Sequence, residues 1–337
     1  MFFNIFNNTL GQTANSANIN DNGITVIMYH RFEENKYPST NIKKEIFLNH
    51  INIIKKSKIE LLNLKDLTKV LYNASAKKYL IISIDDAFES FFFNSWPILK
   101  KDKIPFTLFV STEAIGKKGY MTWNQIKELN NYDFVTIGNH SHSHNYLADL
   151  STTEIRFDLK KSIELFKKNL GYEPKFFSYP FGEYSEELKN IVKEFNFELA
   201  FGQHSGVIDS TKDLFELPRF SLNEKYGSIE RFNAIIKYIP FPYKQILPKN
   251  KYLNSFENPP DVRIKFFPNS LNIKNITCFS NEGNTWKKSN IIYANENEIK
   301  INLIEKFKSE RGRINCSLRE NDGRWRWLGI QFVIAEY

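Results

Sequence analysis

The chain has 337 residues, of which 42% are apolar and 25% charged, with only two cysteines. At about 150 residues per domain this suggests two domains, and the composition excludes wholesale disorder, collagen and disulfide-scaffold classes. Lys and Arg exceed Asp and Glu by 46 − 38 = 8, and the densest basic clusters (Lys43-Lys44, Lys55-Lys56, Lys160-Lys161) read as solvated helix faces, so nucleic acid is not an expected partner.

Residues 1–22 begin apolar and turn to small residues without a basic start, and are expected to be a tail or the remnant of a signal peptide. No run approaches the ~18 apolar residues of a membrane span. From 23 to 238, short β-rich runs alternate with helical periodicity. The runs are ITVIMY (24–29), IELLNL (59–64), YLIISI (79–84), PFTLFV (105–110), DFVTIG (133–138), KFFSY (175–179), FELAF (197–201) and LFELP (214–218). Between them, one amphipathic stretch places Ile46, Phe47, His50, Ile51 and Ile54 on one face. Another, from Ser151, opens with a Ser/Thr–Glu capping signal and closes on Gly171. Repeated βα units predict an α/β fold, a TIM-like barrel of about seven or eight strands; a doubly wound open sheet is the alternative.

The stretch 239–260 holds Pro240, Pro242, Pro248, Pro259 and Pro260 and reads as a stiff linker. Residues 261–337 then give short strand-like runs separated by Asn, Gly and Ser turns, the pattern of a small all-β sandwich module. Within RWRWLGIQFVI, alternation puts Leu328, Ile330, Phe332 and Ile334 on one face and Trp325, Trp327 and Gln331 on the other, unless a bulge at Gly329 exchanges them. The two tryptophans are then a docking surface for the barrel or a sugar platform. Cys278 and Cys316 lie in strand-like runs of this module and can pair in an exported protein; in the cytosol both stay reduced.

In a β/α barrel the active site lies at the C-terminal ends of the strands. The residues that follow the apolar runs are His30-Arg31, Asp85-Asp86, Asn139 to His144, Tyr179-Pro180-Phe181-Gly182, His204 and Arg219. Five of the six histidines therefore fall at strand exits, and only His50 sits in a helical pattern. Two histidines and a carboxylate form a common facial set for a catalytic zinc or similar ion. At a strand end both adjacent carboxylates can reach the mouth, one as ligand and one as base. Each element alone has a plain reading, the Asp-Asp pair as a capping turn and the HSHSH run as a polar loop.

Together these residues resemble the polysaccharide deacetylases, family 4 of the carbohydrate esterases. The resemblance rests on Asp85-Asp86, on His140-Ser141-His142-Ser143-His144, on Tyr179-Pro180-Phe181-Gly182 and on MYHRF near the start. It covers about 24–235 and looks closest to the branch with permuted motifs that includes poly-N-acetylglucosamine deacetylases. It implies a hydrolase of linear amides that removes N-acetyl groups from amino sugars of a polysaccharide. Asp86, His140 and His144 would hold a divalent metal, zinc first, with nickel or cobalt as alternatives. Asp85 would be the general base, His30 the acid that protonates the departing amine, and the Phe181 N–H an oxyanion donor. Arg219 would orient or balance the carboxylate pair.

Three departures stand out: Ala87 where the family has Gly, Phe181 where it has Tyr, and Ser178 where a common Arg is expected. Tyr179, Pro180, Trp123 and His204 are candidate substrate contacts, with packing or a structural hydrogen bond as the plain reading of Trp123 and His204. His142 is expected beside the metal ligands rather than among them. The resemblance also implies a periplasmic or cell-envelope location, although the N-terminus leaves a cytoplasmic one open. The competing functions are a non-catalytic glycan-binding protein and a deacylase or deformylase of a lipid-linked sugar.

Overall fold

The computed structural model describes residues 22–73 and 77–335, so the expected N-terminal tail lies outside the described residues apart from Asn22. The first unit contains β1 (Ile24–Tyr29), β2 (Arg31–Phe32), β3 (Asn41–Ile42), β4 (Glu60–Leu61), β5 (Tyr79–Ile84), β6 (Phe106–Val110), β7 (Val135–Asn139), β8 (Phe176–Ser178), β9 (Leu199–Phe201), β10 (Val207–Ile208) and β11 (Phe220–Ser221). A curled sheet follows the order β10-β1-β5-β6-β7-β8-β9, parallel except for β10. Every residue of β1, β6 and β7 is buried, as expected where helices cover a parallel sheet on its outer face.

Seven strands form the path of this sheet, within the expected seven or eight, but two of the expected runs do not contribute full strands. IELLNL contributes only Glu60–Leu61 before Asn63 caps a short turn, and LFELP is not a continuous strand. Instead Leu217 bridges Phe201 of β9 while Phe220 and Ser221 pair with β1, so this one segment spans the gap between the two sheet edges. Pro218 lacks the N–H that a continuous ladder needs.

Two helices form as their sequences dictate. The Thr152–Leu170 helix has the Ser151–Glu154 capping box and ends at Gly171 with φ 82°. The Lys44–Lys56 helix buries Phe47, His50, Ile51 and Ile54. His50 is held between the Tyr29 hydroxyl and the Gly227 carbonyl, both at 2.9 Å.

The proline-rich stretch is not a bare connector. It supplies β12 (Gln245–Leu247) and β13 (Tyr252–Leu253) to the second unit, which continues with β14 (Val262–Lys265), β15 (Thr277–Ser280), β16 (Lys287–Lys288), β17 (Asn290–Asn295), β18 (Glu298–Asn302), β19 (Arg311–Arg319) and β20 (Trp325–Ile334). Sheets ordered β12-β14-β18-β17 and β13-β20-β19-β15-β16 share a second core that includes Leu328, Ile330, Phe332 and Ile334. Cys278 and Cys316 are cross-strand partners joined by a disulfide.

The β19–β20 register runs without a bulge, so the other face of β20 turns to the first unit. Trp327 stacks on Tyr238 at 5.0 Å and its indole N–H donates to the Ser205 hydroxyl at 2.7 Å. Trp325 stays 43% exposed, with the Arg319 guanidinium 5.9 Å from its ring. A Cβ on Gly329 would lie 2.5 Å from the Ser205 carbonyl oxygen, so glycine is needed there for close approach rather than for a bulge.

Candidate active site

The carboxylate pair leaves β5 in a turn that few residues tolerate. Asp85 is still tied to β1 through its N–H to the Tyr29 carbonyl at 2.9 Å, whereas Asp86 and Ala87 have φ of 72° and 56°. Ala87 therefore takes the left-handed conformation with its methyl buried, at a cost of order 1–3 kcal/mol. The turn separates two roles. Asp85 is fully buried, and Asp86 reaches the cleft.

Asp85 meets Arg219. The guanidinium donates from Nη1 to Asp85 Oδ1 at 2.8 Å and from Nη2 to Oδ2 at 2.9 Å. Its other contacts go to the Ser178 hydroxyl at 2.8 Å, the Ser83 hydroxyl at 3.3 Å and, from Nε, the Gly202 carbonyl at 3.0 Å. All five guanidinium donors are thus used, in a residue with no solvent exposure. Burial pushes the Asp85 carboxyl up, but Arg219, His140 and His30 outweigh it and hold its pKa below the usual carboxylate range. Ser178, standing where the resemblance led to an arginine, is one of the acceptors of this arginine from another strand.

Across the mouth, His140 Nε2 lies 3.3 Å and His144 Nε2 3.1 Å from Asp86 Oδ1. The three groups offer ligand atoms all within 4.8 Å of one another. His140 Nδ1 is 2.7 Å from the Ser178 carbonyl, an acceptor only, so Nδ1 carries the proton and the Nε2 lone pair faces Asp86. Asp86 Oδ1 and His140 Nε2 are buried with no hydrogen-bond partner. A carboxylate oxygen and an imidazole lone pair aimed at one point repel unless a cation lies between them, so the residues fit a divalent metal. Burial raises the Asp86 carboxyl, but the adjacent His140 and His144 outweigh it and hold it below the usual carboxylate range; burial lowers the His144 imidazole, and the adjacent Asp86 outweighs that in turn.

The histidine loop is held by residues that sequence reading missed. Asp158 accepts the His142 and Ser143 N–H groups at 2.7 and 2.8 Å, and the Ser162 hydroxyl donates to the Ser141 carbonyl at 3.1 Å. Both lie on the buried face of the Thr152–Leu170 helix among Ile155, Leu159, Ile163 and Phe166. Polar residues on an apolar stripe were the available signal. His142 turns away from Asp86, its Nδ1 lying 2.9 Å from the Thr112 hydroxyl.

His30, half-buried at the β1 exit, faces the carboxylates. Burial lowers its pKa, and Asp86 and Asp85 oppose the shift without cancelling it. Phe181 has φ 57° in the Pro180–Gly182 turn. Its ring stacks on Tyr146 at 4.1 Å and meets His144 edge-on at 4.7 Å. On the opposite side Asp86 and His144 open into a groove of about 320 Å³ lined by Phe88, Glu113, Lys117, Tyr120 and Ser143 among others.

Four candidate substrate contacts are not brought to this groove. Tyr179 is fully buried and its hydroxyl donates to the Phe215 carbonyl at 3.1 Å, and Pro180 is buried beside it. Trp123 packs edge-on to Phe166 at 5.9 Å. His204 presents its carbonyl to the Arg219 N–H at 2.9 Å, and burial drives its pKa down to about 3. The apolar runs before Tyr179 and His204 marked strand exits correctly, but a strand exit has an inner and an outer side.

With this geometry in place, comparison with known proteins is direct. Residues 72–200 match the polysaccharide deacetylase family. That segment is similar to polysaccharide deacetylase domains. The match contains Asp85, Asp86, His140, His144 and Phe181 and leaves His30 and Arg219 outside it. The chain is 25% identical over 174 residues to poly-β-1,6-N-acetyl-D-glucosamine N-deacetylase of Staphylococcus aureus (strain MSSA476), covering 48% of this chain and 58% of that enzyme. The aligned part is thus less than two thirds of that relative.

Among solved structures, Streptococcus pyogenes deacetylase PplD in complex with acetate shares the fold with a TM-score of 0.58 and 22% identity, covering 64% of this chain and 99% of that one. IcaB from Ammonifex degensii gives 0.58, 22%, 64% and 97% in the same order. The polysaccharide deacetylase fold therefore accounts for the curled sheet, and a large part of this chain lies beyond it.

Proposed function

We propose that the protein is a metal-dependent hydrolase that removes N-acetyl groups from the amino sugars of a polysaccharide, with β-1,6-linked N-acetylglucosamine polymers as the substrate class. The observation that carries this reading is the convergence of Asp86, His140 and His144 ligand atoms within 4.8 Å, beside a buried, ionised Asp85. A binding protein has no use for a base next to a metal site.

When bound by Asp86, His140 and His144, a divalent cation, zinc for this donor set, supplies Lewis-acid chemistry that polarises a carbonyl and lowers the pKa of water from 15.7 to about 7. Asp85 accepts the proton of the attacking water. Arg219 keeps that carboxylate charged and fixed in direction, at the expense of some basicity. The Phe181 N–H donates to the oxygen on which charge develops, an interaction typically worth about 3–4 kcal/mol of barrier. His30 gives its proton to the departing nitrogen as the C–N bond breaks, leaving acetate and a free amine. Its lowered pKa makes it a readier donor than an ordinary imidazolium. Tyr120, half-buried at the groove wall beside the buried Phe88, offers an aromatic face to sugar rings.

The same reading takes the two C-terminal sheets as a β-sandwich module and the protein as exported, since a cross-strand disulfide suits an oxidising compartment. Among the described residues no helix is long and apolar enough to cross a membrane.

Acetate release from N-acetylglucosamine oligomers by metal-stripped protein, before and after zinc is restored, tests the proposal. Release that returns with zinc, and disappears in D85N while oligomer binding persists, supports it. Zinc binding without acetate release overturns the acetyl reading in favour of another acyl group or a glycan-binding role.

A further inference from the structure

The second unit reaches into the site. Along β19, Gly312, Ile314, Cys316 and Leu318 are buried, so Arg311 and Arg313 lie on the opposite face of the strand. Arg311 Nε donates to Glu183 Oε1 at 2.5 Å, and its guanidinium carbon sits 5.7 Å from the centroid of the Phe181 ring. From β20, Gln331 Nε2 donates to the Gly182 carbonyl at 3.4 Å. The Tyr146 ring stacks on Phe181 at 4.1 Å with planes 10° apart, and burial together with the nearby Glu310 carboxylate raises the Tyr146 hydroxyl's pKa. Every residue from Phe181 to Glu183 is thus touched by the second unit.

Glu183 shows that this contact is built rather than incidental. It is 2% exposed, and among the described residues Arg311 is its ion-pair partner. Its other oxygen has no hydrogen-bond partner, so without Arg311 a buried carboxylate would lose its counter-charge. The turn itself is short and strained, with φ of 57° at Phe181 and 70° at Gly182, and such conformations persist only when their surroundings over-determine them.

We propose that Arg311 is a positioning residue for the deacetylation: acting through Glu183 and the Phe181 ring, it holds the 180–183 turn so that the Phe181 N–H is presented to the oxyanion. This inference rests on the function proposed above. It makes the second unit part of the catalytic apparatus of this chain rather than a tethered passenger.

The test uses the full chain loaded with zinc, with R311Q and R311K compared with wild type. Kinetics on N-acetylglucosamine oligomers are measured alongside amide hydrogen exchange across 179–184. R311Q is expected to lower kcat about tenfold with KM unchanged within about twofold, because an oxyanion contact exists only in the transition state. Exchange of the 181–183 amides is expected to rise about tenfold while β5 stays protected. R311K keeps the cation and is expected to recover part of kcat.

A lower melting temperature with kcat and exchange unchanged would mean that Arg311 only fastens the two units, and would overturn the proposal. So would R311K as slow as R311Q at equal melting temperature. Wild-type protein that releases no acetate while its turn still loosens in R311Q overturns the reaction assignment and upholds the clamp.

Discussion

Replacing Arg219 with Met tests the heart of the site. All five guanidinium donors are spent on Asp85, Ser178, Ser83 and the Gly202 carbonyl, and both charged partners are fully buried. Methionine fills much of the volume but leaves the Asp85 carboxylate buried without its main counter-charge. Breaking one side of such a pair costs about 3–5 kcal/mol, or roughly 6–20 °C in melting temperature at 2–4 °C per kcal/mol. Burial already pushes the Asp85 carboxyl up, and Arg219 is first among the groups that pull it down. R219M should therefore protonate Asp85 at higher pH, moving the acid limb of kcat/KM to higher pH. The double variant R219M with D85N removes both charges and should recover most of the lost stability and none of the activity. Thermal melts and a kcat/KM profile over pH suffice as assays. The reasoning is refuted if R219M costs less than about 1 kcal/mol, as an exposed ion pair would, or if the double variant is no more stable than R219M.

The other predictions concern the metal, the interface and pH. D86N should abolish high-affinity zinc binding in calorimetry, and zinc at about 100 times its Kd should stabilise the wild type by about 2.7 kcal/mol but not D86N. G329A places a methyl 2.5 Å from the Ser205 carbonyl oxygen; it should loosen the contact between the units, read as faster proteolysis near 202–206 with the disulfide-linked sheets intact. Glu183 gives a pH signature, because burial raises its carboxyl to about 7 against the pull of Arg311. A carboxyl raised in the folded state contributes stability that is full below its unfolded pKa and lost as pH rises through the folded value. Wild type should therefore lose, relative to E183Q, on the order of 3 kcal/mol between about pH 5 and pH 8. Parallel denaturation curves for the two proteins at both pH values would contradict this.

The sequence was most legible where one residue type at one strand exit suffices. Asp85-Asp86, His140 and His144 follow apolar runs, and the structure brings all four side chains together because strand ends converge on one face of a curled sheet. Arg219 was placed in the right company without a derivable partner, since no spacing rule links positions 85 and 219; only the β1–β11 pairing puts them together. Tyr179 and His204 lie away from the groove for the opposite reason. Both follow strands, but their rings turn outward into packing, and three-residue strands such as β8 and β9 give too little alternation to assign a face. The alternation in β20 was long enough, and its two faces came out as read. Arg311 lay beyond reach, being one of several arginines on a strand whose docking depends on how two units meet.

What these residues share is backbone strain and how it is held. Ten described non-glycine residues have positive φ, and five of them, Asp86, Ala87, Ser141, His144 and Phe181, belong to this site. At about 1–3 kcal/mol each they cost roughly 5–15 kcal/mol together, of the order of a whole domain's net stability. Such a cluster survives only if each turn is fastened from outside itself. Asp158 and Ser162 fasten the histidine loop from a helix, Tyr146 and Arg311 fasten the Phe181 turn, and Arg219 and the β1 ladder fasten the carboxylates. The buried polar residues that look misplaced on apolar elements are therefore the mountings of the site. By the same argument, truncating any one of them to Ala should loosen its own turn before it unfolds the protein, and local hydrogen exchange would then rise well ahead of any shift in the global transition.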